Sequence, residues 1–152
     1  MKRITLSALM TATLGLGTWA ALPAQTQTCT PLRVVDSDAT EVEKTVSPVS
    51  FLVTNTNWNT DFVVPADSQF ESFVATITSS EGTTYDIFVN LKYNDDTVDQ
   101  AYKAENTTLT VGEPRQITVT PRTGEQPYQV NLLVGGIEAA DNVYTASVSG
   151  CI

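Results

Sequence analysis

The stretch TYDIFVNLKY, residues 84–93, alternates apolar and polar side chains with a period of two. The apolar side chains fall at every second position: Tyr85, Ile87, Val89, Leu91 and Tyr93. Asp86, Asn90 and Lys92 lie between them, and only Phe88 breaks the pattern. Because successive side chains of a strand point to opposite faces, this alternation predicts a β-strand that buries one face.

Similar stretches lie on both sides of this strand. FESFVATIT precedes it through SSEG, where Gly82 can adopt the positive φ of a tight turn, and NDDT forms a turn into VDQAYKA. The remaining predicted strands are TTLTV, RQITVT, YQVNLLV, NVYTASV, VSFLV and WNTDFVV. The last of these places Trp58, Thr60, Phe62 and Val64 on one face. The chain therefore reads as eight or nine short strands.

The connections between these strands are short turns, which join antiparallel neighbours. An all-β, antiparallel two-sheet sandwich is therefore the predicted fold class, and a small closed barrel is the alternative. Pro48 has no N–H for a ladder and marks a break, a bulge or an edge. The acidic stretch DSDATEVE, residues 36–43, predicts a loop or an edge strand protected by charge.

The first 24 residues have the layout of a secretory signal peptide. Lys2 and Arg3 precede an apolar run from residue 4 to residue 22, which Pro23 and Ala24 follow. A transmembrane anchor is the rival interpretation of this run. Cleavage after Ala24 leaves residues 25–152 as a single domain of 128 residues, without integral membrane contact.

Two cysteines, Cys29 and Cys151, bracket nearly all of that domain. Two cysteines in an exported chain most often pair, so we expect an intramolecular disulfide. Free thiols or an intermolecular bridge are the alternatives. A disulfide requires the two Cα atoms to lie within roughly 7 Å, so the first and last strands must be neighbours.

The charge of the domain excludes some partners. Without Lys2 and Arg3, 6 basic side chains face 17 acidic ones, a net charge of −11. Such a surface repels phosphate backbones and anionic lipid headgroups. We therefore expect no nucleic-acid partner.

The chain from Val49 to Cys151 resembles a group of known domains. DNVYTASVSG is similar to the last strand of bacterial immunoglobulin-like surface domains and pilin-type sandwiches, and LTVGEPRQITVTP resembles their paired strands. The similarity extends from Val49 to Cys151 and identifies no specific family. It implies an immunoglobulin-like sandwich with an adhesive, structural or scaffold role outside the cytoplasm.

A polymerising pilin-like subunit is one alternative that this resemblance opens. Such a subunit lends an N-terminal extension to its neighbour. Only residues 25–28 precede Cys29 after the predicted cleavage, and four residues span at most about 14 Å. A disulfide would also tether the first segment to its own domain. The sequence therefore favours a self-completed fold over a donating subunit.

The sequence offers little for catalysis. It has no histidine, which removes Ser-His-Asp and Cys-His arrangements and the commonest ligand of zinc and copper. The carboxylates of NDDTVD, residues 94–99, and of residues 36–43 are typical of solvated turns. We therefore expect that the protein is not an enzyme.

Calcium is the one cofactor that the sequence suggests. Asp36, Asp38 and Glu41 supply oxygen ligands from one loop, although the stretch departs from the EF-hand pattern. Glu41 stands where that pattern requires glycine. The alternative is a charged, solvated loop.

The segment NTNWNTD suggests a ligand site at Asn57, Trp58 and Asn59. A tryptophan among amides can form an aromatic platform with hydrogen bonds for a sugar. The alternative is a tryptophan that packs inward with Phe62 and Val64.

Together these features predict an exported, non-catalytic bacterial β-sandwich protein. It would act as a surface, extracellular-matrix or periplasmic component with a binding or structural role, and its partner would be a protein, a glycan or another copy of itself. The alternatives are the pilin-like subunit described above and a calcium- or carbohydrate-binding module.

Overall fold

A computed structural model describes residues 27–50 and 55–152. The predicted signal peptide at residues 1–24 and residues 51–53 of the predicted strand VSFLV lie outside the described residues. Every regular element of the described ranges is a β-strand, and the ten strands form two antiparallel sheets of five. The described ranges contain no helix that is long and apolar enough to cross a membrane.

The strands of the first sheet are Cys29–Pro31 (β1), Glu41–Thr45 (β3), Ser72–Ser79 (β5), Arg115–Val119 (β8) and Val143–Cys151 (β10). Those of the second sheet are Arg33–Val34 (β2), Asn59–Val63 (β4), Thr84–Lys92 (β6), Val98–Thr108 (β7) and Gln129–Gly135 (β9). The first sheet has the order β1-β10-β5-β8, and β3 pairs with β10 as well. The second sheet has the order β2-β4-β9-β6-β7.

The antiparallel two-sheet sandwich is confirmed, but the strand count of eight or nine is too low. Strands β1 and β2 have three and two residues, too few to show an alternation in the sequence. The prediction of TTLTV as a separate strand is wrong. Strand β7 pairs with β6 as far as Thr108, and Val111 makes only an isolated bridge to Ser79.

The core lies between the inner faces of the two sheets. The apolar positions of TYDIFVNLKY are all buried, as their alternation predicts: Tyr85, Ile87, Val89, Leu91 and Tyr93. Tyr85 packs edge-on against Tyr144 of β10 with ring centroids 6.2 Å apart, and its hydroxyl bonds Ser79 at 2.8 Å. Burial raises the pKa of Tyr144 to about 12. The hydroxyl of Tyr85 is thus hydrogen-bonded within an apolar interior.

The predicted disulfide is confirmed. Cys29 and Cys151 are directly opposite each other across β1 and β10, with Cα atoms 4.0 Å apart. Beside them, the backbones of Thr28 and Ile152 exchange hydrogen bonds of 3.1 and 2.9 Å. Both ends of the domain therefore meet at one edge of the first sheet.

The turns follow the predicted chemistry. Gly82 has a φ of 57° in the turn between β5 and β6, where SSEG predicts a tight turn.

The acidic stretch, residues 36–43, forms a loop and then β3, an edge strand that pairs with β10. The charges of Glu41 and Glu43 lie on this exposed edge, where they discourage pairing with another chain.

Candidate functional site

The outer face of the second sheet presents three rows of side chains that run across the strands. One row, here the amide row, contains Asp61, Asn131, Asn90 and Gln100. The next, the apolar row, contains Leu133 and Phe88 at its centre, with Asn59 and Lys103 at its ends. The third, the rim row, contains Arg33, Val63, Gln129, Lys92 and Val98. The three rows together are called the polar face.

A chain of hydrogen bonds connects the amide row to the rim row. Asn90 Nδ2 donates to Asn131 Oδ1 at 3.0 Å, and Asn131 Nδ2 donates to Asp61 Oδ1 at 2.8 Å. Lys92 Nζ donates to the same Asp61 oxygen at 2.9 Å and to Gln129 Oε1 at 3.0 Å. Each side chain is thus held in one orientation by its neighbours. Asn131, at the centre, is only 6% exposed.

The network does not use all of its acceptor atoms. Among the described residues, no donor reaches Asp61 Oδ2 or Asn90 Oδ1. Both atoms belong to side chains that are fixed and half-buried. A ligand that offers hydroxyl donors would meet acceptors that are already oriented, which lowers the entropy cost of binding.

The apolar row places an aromatic ring beside these polar groups. Phe88 lies on the outer face next to Leu133, and it is half-buried. Lys103 Nζ stands 5.2 Å from the centre of the Phe88 ring, a cation–π geometry. The polar face therefore combines oriented hydrogen-bonding groups with an apolar ring surface.

The cations of the polar face all have carboxylate partners. Lys92 pairs with Asp61 at 2.9 Å, and Lys103 pairs with Glu105 at 3.0 Å. Arg33 pairs with Asp38 at 3.2 Å. The face is therefore close to electrically neutral, on a protein that is acidic overall.

The structure places Asn57, Trp58 and Asn59 at the start of β4. The side chains of Asn57 and Trp58 bind the backbone of residues 45–47, at and just after the end of β3. Trp58 packs against the core, and its indole N–H donates to the carbonyl of Ser47 at 2.9 Å. The side chain of Asn57 accepts from the Ser47 N–H at 2.9 Å and donates to the carbonyl of Thr45 at 2.7 Å. These contacts agree with the inward packing considered for Trp58. A ligand role for these three residues stays a prediction.

Lys44 of the edge strand β3 also binds this segment. Its Nζ donates to the carbonyls of Asn57 and Asn59 at 3.1 and 2.8 Å. Burial lowers the pKa of Lys44, and the charge of Asp61 partly offsets that effect. Of the three residues, Asn59 lies on the polar face, at one end of the apolar row.

The predicted calcium ligands are only partly brought together. Asp36 and Asp38 line the same cleft of about 410 Å³, together with Arg33 and Val63, whereas Glu41 begins β3. Asp38 Oδ1 accepts a hydrogen bond from Arg33 at 3.2 Å. Within residues 27–50 and 55–152, no three acidic, cysteine or histidine side chains gather as a metal site requires. A calcium site at these residues stays a prediction.

The polar face was not predicted from the sequence, although one signal pointed to it. Phe88 is the apolar residue that breaks the alternation of TYDIFVNLKY, and the structure places it outward beside Asn90. YQVNLLV has the same character, since Gln129, Asn131 and Leu133 occupy alternate positions on that face. An apolar residue among polar ones on an outer face is the pattern that could have identified the site.

No protein-family model matches the chain, and no curated protein shows significant similarity to it. This agrees with a resemblance that identified no specific family. Solved structures with similar folds include an arginine-to-alanine mutant of a family 29 carbohydrate-binding module, with 5% identity and a TM-score of 0.45 over 82% of this chain and 91% of that one.

Two further solved structures are similar. A family 4 carbohydrate-binding module has 15% identity and a TM-score of 0.39, over 83% of this chain and 92% of that one. The family 22 xylan-binding domain of Paenibacillus barcinonensis Xyn10C has 11% identity and a TM-score of 0.33, over 84% and 85%. Values this low say nothing about what this chain binds.

Proposed function

We propose that the protein is an exported, non-catalytic binding component that holds a glycan on its polar face. The observation that carries this proposal is the hydrogen-bonded amide row directly beside the apolar row. A sugar ring has hydroxyl groups around its rim and C–H groups on its faces, so it needs oriented polar partners next to an apolar surface. The polar face supplies the oriented polar groups and the apolar surface side by side on four neighbouring strands.

Two features support the export and self-contained parts of the proposal. The Cys29–Cys151 disulfide is typical of proteins that fold in an oxidising compartment. The same bond holds β1 in its own sheet, and β10 has pairing partners on both sides. This arrangement favours a complete binding domain over a subunit that donates its first strand.

The environment of the carboxylates supports a role without catalysis. A glycosidase requires one carboxyl group that burial keeps protonated. Among the described residues, the buried polar side chains are those of Thr60, Ser72, Ser79 and Asn131. The Asp95 and Asp99 carboxyls have pKa values below the usual range because of hydrogen bonds, from Thr97 to Asp95 and from Arg122 to Asp99. Such groups serve poorly as general acids.

The test is a binding titration of the processed protein against a panel of oligosaccharides, by calorimetry. Asn90→Ala removes one member of the amide row and should weaken binding about fivefold, the value of one hydrogen bond. Gln116→Ala is the matched control, because Gln116 is an exposed amide on the outer face of the first sheet. Equal affinity of the two variants, or no binding to any member of a broad panel, would overturn the proposal.

A further inference from the structure

We infer that the ligand is a neutral glycan chain lying across the strands, and that Lys103 restricts its access to Phe88. This inference rests on the proposed function, because it specifies which class of glycan the polar face takes and which residue sets the selectivity. Three observations lead to it: the charge balance, the direction of the rows, and the position of the Lys103 ammonium group.

The charge balance favours a neutral ligand. Uronic acid or sulfated glycans are recognised by cations that are free to meet an anionic group. On the polar face, Lys92, Lys103 and Arg33 each already have a carboxylate within 3.2 Å. The domain as a whole repels polyanions through its net charge of −11. A neutral glycan could bind without breaking any of these ion pairs. The negative potential of the domain would not repel it.

The direction of the rows favours an extended chain across the strands. The amide row crosses four strands, which corresponds to roughly 14 Å at the usual spacing of neighbouring strands. The apolar row runs parallel to it, two residues along each strand, or about 7 Å away. A chain laid in this direction can hydrogen-bond along one edge while a ring stacks on Phe88. A chain laid along the strands would cross from polar to apolar side chains at every second residue.

Lys103 occupies the place where that stacking would occur. Its Nζ stands over the Phe88 ring at 5.2 Å and is held at the other side by Glu105 at 3.0 Å. A neutral ring that stacks on Phe88 must displace this ammonium group and forfeit its cation–π contact. Lys103 therefore opposes the stacking of a neutral glycan on Phe88.

Calorimetry with two sets of probes distinguishes these cases. The neutral set contains xylo-, manno- and cello-oligosaccharides, and the acidic set contains oligogalacturonates and alginate oligomers. Neutral probes should bind with an affinity that salt does not change. Lys103→Ala should strengthen that binding about two- to fivefold, the value of an exposed cation–π contact, whereas Phe88→Ala should weaken it at least tenfold. Arg115→Ala is the matched control, since Arg115 is an exposed cation on β8 of the other sheet, and should change nothing.

Each other outcome has a definite meaning. If acidic probes bind and Lys103→Ala weakens them, the inference is overturned while the proposed function stands. If neutral probes bind but Lys103→Ala weakens them, Lys103 is a ligand contact and its restrictive role is wrong. If neither set binds to a protein that circular dichroism shows to be folded, the proposed function fails as well.

Discussion

At the scale of single residues, Gly135 shows how close packing fixes the ring of Trp58. The Trp58 ring lies where a side chain at Gly135 would be, so that an added Cβ would stand 2.2 Å from Cδ2. Real Cβ atoms do not approach other atoms this closely. Glycine is therefore required at position 135, because any side chain there would occupy the space of the Trp58 indole.

We expect Gly135→Ala to destabilise the protein by about 1–3 kcal/mol, the usual cost of forcing extra volume into a packed site. Chemical denaturation followed by circular dichroism measures this cost in either background, and in the presence of Trp58 the fluorescence of the folded state should shift as the ring is displaced. The same substitution in a Trp58→Ala background should cost much less. An equal cost in both backgrounds would mean that the indole is not the obstacle.

At the scale of elements, Arg122 connects the loop after β8 to the hairpin of β6 and β7. Its guanidinium group makes two hydrogen bonds of 2.7 Å to Asp99, and it lies 4.0 Å from the centre of the Tyr93 ring. The Arg122 backbone N–H donates to the Tyr93 hydroxyl at 3.0 Å. These contacts hold the long β8–β9 connection against the end of the second sheet.

The Arg122–Asp99 pair should make stability depend on pH in the acidic range. The hydrogen bond from Arg122 lowers the pKa of Asp99 below its ordinary value of 3.8. A carboxyl with a lowered pKa in the folded state stabilises that state above its unfolded pKa and loses this effect as the pH falls through the folded pKa. The difference in the free energy of unfolding between wild type and Asp99→Asn should therefore be constant near neutral pH and shrink in acid below about pH 4.

Denaturant titrations over that pH range test this expectation. An Arg122→Gln background supplies the control, because Asp99→Asn should have no pH-dependent effect once the guanidinium group is gone. A pH dependence that persists in this background would mean that something other than Arg122 lowers the pKa of Asp99.

At the scale of the whole molecule, one covalent bond joins the two ends of the domain. Cys29 and Cys151 are separated by 122 positions in a chain of 152 residues, so the bond closes most of the unfolded polypeptide into one loop. In the folded state it adds to pairings that β10 already makes with β1, β3 and β5. We therefore expect the sandwich to form without the bond and to be less stable without it.

The double variant Cys29→Ser with Cys151→Ser should remain folded and lose about 2–5 kcal/mol of unfolding free energy. Guanidinium denaturation measures the loss, and reduction of the wild type should reproduce it. Reductant should have no effect on the double variant. A double variant as stable as wild type would show that the bond contributes nothing beyond the strand pairing beside it.

The elements with clear alternation were predictable, and the short ones were not. Strand β6 followed directly from TYDIFVNLKY, because a strand with one buried face shows its period in the sequence. Strand β2, with two residues, exists only because Arg33 and Val34 lie opposite Val63 and Phe62. The end of β7 was misjudged for the same reason, since its pairing partner on β6 determines how far it extends.

By itself, the sequence determined the two-sheet antiparallel fold and the pairing of Cys29 with Cys151. Period-two patterns and two cysteines carry that information locally. Only the tertiary structure decided the polar face, because Asp61, Asn90 and Asn131 belong to three strands that are far apart in the chain. Strand order and register bring their side chains to hydrogen-bonding distance, and neither quantity is encoded in any single stretch of residues.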